Sequence, residues 1–114
     1  MGLTTVTPAH LTNSQLTTAP KLLYTCPANT FVKITAATCT NILGQASSVT
    51  LHYVPAGGVT STATQVVSGS SVAGNSSYNA QELVNHILTP GDQIWGNTGT
   101  GGSINTNISG VQFS

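Results

Sequence analysis

The stretch Val49 to Val54 constrains the fold most: Val49, Leu51 and Tyr53 alternate with Thr50, His52 and Val54, and Pro55-Ala56-Gly57-Gly58 stops the run at once. A period of two built on β-branched and aromatic residues describes a strand with one side on a core, and a Pro and Gly cluster ends such a strand in a turn.

The same pattern recurs along the chain. Leu22 to Cys26 reads as a strand, Pro27-Ala28-Asn29 as a turn, and Phe31 to Thr40 as a second strand with Val32, Ile34 and Ala36 on one face and Lys33 and Thr35 on the other. Thr64 to Ser68 is a weaker strand closed by the SGSSVAGNSS loop. Tyr78 to Leu83 and Val84 to Leu88 follow, with a helical turn within Asn79 to Leu88 as the alternative. Pro90-Gly91-Asp92 turns the chain into a strand through Ile94 and Trp95, a glycine-rich loop spans Gly96 to Gly102, and Ile104 to Phe113 closes the chain. About seven or eight short strands at this spacing predict an all-β fold, an antiparallel β-sandwich of jelly-roll type. A chain of 114 residues is of a size to hold one core.

Residues 1–20 differ in character. Thr, Ser, Asn, Gln and Ala dominate, Pro8 and Pro20 interrupt, and Leu3, Val6, Leu11 and Leu16 are scattered. Such a segment builds no core alone and reads as an extended arm, laid on its own domain or on a neighbour, ahead of a sandwich domain over 21–114.

Charge is scarce. Lys21, Lys33, Glu82 and Asp92 are the only charged residues, about 4% of the chain, and the net charge is zero. Charge normally keeps copies of a soluble protein apart, so its near absence predicts a surface partly covered by further copies or by partners. Two lysines and no arginine build no phosphate-tracking patch, which argues against nucleic acid as a partner. No apolar run reaches membrane-spanning length, and the start MGLTTVTPAH is unlike a signal peptide, so the expected site of synthesis is the cytoplasm.

Chemistry has little to work with. Glu82 and Asp92 read as a solvated residue and a turn cap, not as an acid and base pair. His10, His52 and His86 lack metal-ligand spacing, and His52 is expected on the outward face of its strand, where copies around a threefold axis could bring it together. Cys26 and Cys39 are expected as free, buried thiols, since a protein made in a reducing cytosol rarely keeps a disulfide, and a hairpin at Pro27 to Asn29 would place Cys26 near Phe31 and not opposite Cys39. The loop GNTGTGGS lacks the lysine and helix of a phosphate loop and reads as a flexible tip or a contact between subunits. No catalytic residue, cofactor or metal is expected, and no small-molecule ligand. The residues expected to touch partners are Leu3, Val6, Leu11, Leu16, His52 and Trp95.

Three segments, in order, carry a resemblance: HLTNSQLTTAPKLLYTCPANTFVKI, then TCTNILGQASSVTLHYVPAGG, then ILTPGDQIW followed by INTNISGV. Together they resemble small structural proteins of tailed-bacteriophage particles. The resemblance implies a β-sandwich virion component without catalytic residues, in head-decoration, neck, tail or fibre roles, with major capsid, neck or tail proteins as partners and the virion as location. The closing GDQIW and SGV are also similar to the last hairpin of the tumour-necrosis-factor and complement globular-head jelly rolls, which implies a homotrimer. The function expected is thus a self-associating capsid decoration protein. The alternative is a neck, tail or fibre component, or a receptor- or glycan-binding module that uses Tyr53, Tyr78 or Trp95.

Overall fold

The computed structural model describes residues 6–114. Among them are nine strands: β1 (Val6–Gln15), β2 (Lys21–Thr25), β3 (Phe31–Asn41), β4 (Ser47–Val54), β5 (Gln65–Val72), β6 (Ser77–Asn79), β7 (Ile87–Leu88), β8 (Gln93–Thr98) and β9 (Ile104–Phe113). A single 3-10 turn, Thr62–Thr64, is the only other regular element described. No helix is long and apolar enough to cross a membrane among the described residues.

Two antiparallel sheets face each other across one core, which makes the fold a β-sandwich. One sheet runs β1-β9-β3-β6, with β7 also paired to β3, and the other runs β2-β8-β4-β5. The chain changes sheet at every connection except β4 to β5 and β6 to β7. Alternate residues of both sheets fill the core: Leu23, Val32, Ile34, Val49, Leu51, Ile94, Ile104 and Ile108 are buried. Gly96 lets three leucines meet over β8, since a Cβ there would stand 3.0 Å from Leu51 and 3.2 Å from both Leu16 and Leu23.

From Val6 on, the segment expected to be an arm lies on its own domain. β1 pairs with β9 along most of its length, and Leu16, directly after it, donates its N–H to the Ile104 carbonyl at 2.8 Å and is fully buried.

Several local expectations change. Pro27 to Asn29 is no hairpin turn: β2 and β3 belong to different sheets, so the segment crosses the sandwich. The ILTPGDQIW and INTNISGV strands form no hairpin either, because β8 and β9 lie in opposite sheets. Neither a strand nor a helix occupies residues 80–86. Consecutive turns, Leu83 N–H to Ala80 O and Val84 N–H to Gln81 O, carry the chain there while Leu83 fills the core. β5 runs on to Val72, into the stretch read as a loop, and only residues 73–76 turn, with Asn75 at φ 55°.

β3 also shifts phase. Val32 and Ile34 point inward, but Ala36 is exposed and Ala37 and Cys39 are buried, because the register slips between Ile34 and Ala36. β1 slips at the same level, between His10 and Thr12. The β3 bulge lies opposite Gly110 and Ser109 of β9 and the β1 bulge opposite Ser109 and Ile108, so the two meet at Ser109 and all three strands bend together.

Candidate functional site

The titratable groups are committed to the scaffold. Asp92 is 4% exposed and accepts four hydrogen bonds: Thr89 N–H at 2.9 Å, Thr89 Oγ1–H at 2.9 Å and Tyr53 O–H at 2.8 Å on Oδ2, and Ala56 N–H at 3.0 Å on Oδ1. Burial pushes its carboxyl up, but these donors outweigh burial and hold it below the ordinary value of 3.8. Burial and the neighbouring carboxylate push the Tyr53 phenol up to about 12. Asp92 therefore caps the β7–β8 turn and ties it to the end of β4. The His86 ring tilts against Tyr53 with centroids 5.4 Å apart. Glu82 stands elsewhere, accepting the Tyr78 O–H at 2.7 Å, so the two carboxylates serve separate contacts.

His52 is not a surface histidine. Its register partners Trp95 and Gln65 place it on the outer face of its sheet, as the alternation requires, yet it is buried. The β4–β5 connection covers that face: Val54, on the same side, is fully buried, and the 3-10 turn brings Thr64 Oγ1 to 2.8 Å from His52 Nδ1. The Ser61 and Thr64 capping box holds the turn closed. Thr64 Oγ1 has one hydrogen and two candidate acceptors, Ser61 O and His52 Nδ1, so donation to Ser61 makes His52 the donor at Nδ1. Burial lowers the His52 pKa below 6.5, against hydrogen bonds to Asn97 and to the Ser61 backbone that raise it.

Both thiols are free and buried. Cys26 Sγ donates to Thr30 O at 3.2 Å, and Cys39 Sγ accepts from Thr106 Oγ1 at 3.7 Å. Burial raises both pKa values. No group of three or more His, Cys, Asp or Glu converges among the described residues.

The glycine-rich loop after β8 is tied to its own body. Ser47, Thr98 and Ser103 form a closed triangle of buried hydroxyls, with Ser47 Oγ to Thr98 Oγ1 3.0 Å, Thr98 Oγ1 to Ser103 Oγ 3.2 Å and Ser103 Oγ to Ser47 Oγ 3.0 Å. At the same end, Asn41 donates to Gln45 O and Val72 O and accepts from Leu43 N–H, pinning the β3–β4 loop.

Of the residues expected to touch partners, Leu3 lies outside the described residues. Leu16 and His52 are buried within the chain, and Leu11 is half-buried and packs partly on the core. Trp95 is half-buried, with its indole N–H donated to Gln93 Oε1 at 2.9 Å and exposed Leu22 as cross-strand neighbour. Val6 is 63% exposed and belongs to a surface that the sequence reading did not single out.

That surface is the outer face of β1-β9-β3. Val6, Phe113 and Phe31 form one cross-strand row, and Pro8, Val111, Lys33 and Ile87 form the next. Phe31 and Ile87 are 41% and 53% exposed. Farther along, Asn13, Asn107, Thr38 and Asn79 make a row, and Gln15, Asn105, Thr40 and Ser77 another. The face is thus an apolar corner that grades into amides and hydroxyls, with Lys33 as its one charge. Alternation in Val111-Gln112-Phe113 is the signal that could have found it, but a terminal strand with both neighbours distant in sequence hides which side is outward.

No protein-family model, no curated protein and no solved structure matches this chain.

Proposed function

We propose that this chain is a self-associating structural protein of a bacteriophage particle, acting as a capsid decoration protein on a sandwich of jelly-roll type. The observation that carries the reading is the outer β1-β9-β3 face. Its apolar rows are contiguous, and contiguous exposed apolar surface on a small protein is a mark of an interface. Its remaining rows are amides and hydroxyls that both donate and accept, so they can satisfy a like or an unlike neighbour. The carboxylates, histidine and thiols described above are engaged in holding turns and filling the core, which suits a mechanical part. Repetition over a particle would convert many weak contacts into firm attachment.

Particles assembled without the protein and then supplied with it test the reading. Bound protein should raise the temperature at which the particles release their contents. Particles that gain no resistance, or that fail to bind it, would remove the decoration role.

A second reading, a receptor- or glycan-binding module at a fibre, is favoured by one feature, the half-exposed Trp95 beside Leu22. Loss of cell attachment in a folded Trp95→Ala variant would favour it over decoration.

A further inference from the structure

We propose that residues 55–64 act as a strap that lifts off the outer face of β4 while the sandwich stays folded, and that protonation of His52 favours the open form. The particle role proposed above is not required for this.

The strap is a thin cover over buried residues. β5 pairs with β4 only as far as Gln65 with His52, so Tyr53 and Val54 run on with no β5 partner, and the chain from Pro55 to Thr64 lies there instead. None of residues 55–64 is buried, and Val59 is 77% exposed. Yet they hide two residues of β4. A Cβ on Gly58 would stand 3.4 Å from Val54 Cγ1, so the strap backbone rests on the Val54 side chain, and Ser61 and Thr64 close over the His52 ring. A segment that places nothing of its own in the core opens at low cost.

Two latches hold it to the body. Ala56 donates its N–H to Asp92 Oδ1 at 3.0 Å at one end, and Thr64 Oγ1 stands 2.8 Å from His52 Nδ1 at the other. The hydrogen bonds from Gly58 N–H to Pro55 O and within the Ser61 and Thr64 box are internal to the strap, and a lone turn off the body does not hold them. Gly57, at φ 78°, and Gly58 lie between the latches and supply the pivot.

The latches respond to different pH. Asp92 stays ionised down to its folded pKa, which lies below 3.8, so the Ala56 latch persists in weak acid. Around His52 stand Trp95 and Asn97 of β8, Gln65 of β5, and Ser61 and Thr64 of the strap. Leu22 of β2 lies beyond Trp95, and Lys21, the charged residue of β2, reaches Gln15 O instead. An imidazolium under the closed strap is therefore shut off from water with no carboxylate beside it, whereas in the open form it is hydrated. The open form binds the proton more tightly. Opening is steady above about pH 6.5, grows as pH falls through that value, and levels off below the closed-form pKa. It would join His52 and Val54 to Leu22 and Trp95 as one exposed strip.

Val54→Cys in the full chain tests this, with a pyridyl disulfide reagent that reacts in weak acid and with Cys26 and Cys39 as reporters of the sandwich. Position 54 should label at least about tenfold faster than either native thiol. Its rate, divided by that of a free cysteine peptide at the same pH, should rise about threefold or more from pH 7.5 to 5. Adding His52→Gln should keep the fast labelling and remove the rise. Labelling of position 54 no faster than that of Cys26 and Cys39 would overturn the strap, and a corrected rate that ignores pH would overturn the part given to His52. Hydrogen exchange on the wild type decides the matter if the variant does not fold: the Ala63 and Thr64 amides should be far less protected than those of β3 and β9, and equal protection would sink the proposal.

Discussion

Gly110 sits so close to the backbone of β3 that a Cβ on it would stand 2.5 Å from the Lys33 carbonyl oxygen and 3.1 Å from Leu11 Cδ1. The two bulges flanking β9 meet at the next residue, Ser109, and only a residue without a side chain at position 110 lets the three strands stay paired. Gly110→Ala is expected to cost about 2 kcal/mol or more, because the obstacle is backbone and cannot rotate away. Urea unfolding followed by tryptophan fluorescence measures it. A loss under about 0.5 kcal/mol would mean that the strands part without penalty.

Asp92 predicts an acid limit. Its folded pKa lies below the ordinary value of 3.8, so its contribution to stability is complete above that value and is lost as pH falls through the folded pKa. Asp92→Asn removes the charge and turns one acceptor into a donor facing Tyr53 or Thr89, which should cost about 2 to 4 kcal/mol at pH 7. Melting temperatures of both proteins from pH 6 to pH 2 should converge at the acid end. Parallel curves would show that the carboxylate is not the titrating group.

His52 acts in a higher window. Its folded pKa is below 6.5, so the unfolded chain takes up the proton first and stability falls as pH drops through 6.5, levelling once the folded pKa is passed. A melting series from pH 7.5 to 5 should show this decline in the wild type and a flatter curve in His52→Gln. Equal slopes in the two proteins would assign the decline elsewhere.

Cys26 and Cys39 should react slowly or not at all with an aromatic disulfide reagent in the native protein, and both should react after unfolding. Burial raises each thiol pKa and shields each sulfur, and the thiolate is the reactive form. Rapid labelling of either thiol under native conditions would show that its strand opens readily.

Local pattern carried a good share of this fold. The alternation in Val49 to Val54 and Ile104 to Phe113, the Pro55 to Gly58 stop and the Pro90-Gly91-Asp92 turn, with Gly91 at φ 89°, are properties of neighbouring residues and are legible without a partner strand. Free, buried thiols and an Asp92 turn cap were also readable, the first from composition and the second from the residue types of the turn.

What lay beyond the sequence depended on contacts between distant residues. His52 faces outward by its own strand's period, and only the return of residues 61–64 over that face buries it. Ala36 and Ala37 exchange sides because β3 must match the bend of β9, a constraint absent from β3 itself. The sheet partners of β2, β8 and β9 could not be read from turn residues, since a Pro or Gly stop permits a hairpin and a crossover alike. By itself the sequence determined where strands run and that charge would be nearly absent. Tertiary structure decided which faces are covered and where Lys33 and Glu82 stand, because exposure belongs to the packed assembly of strands and not to any one of them.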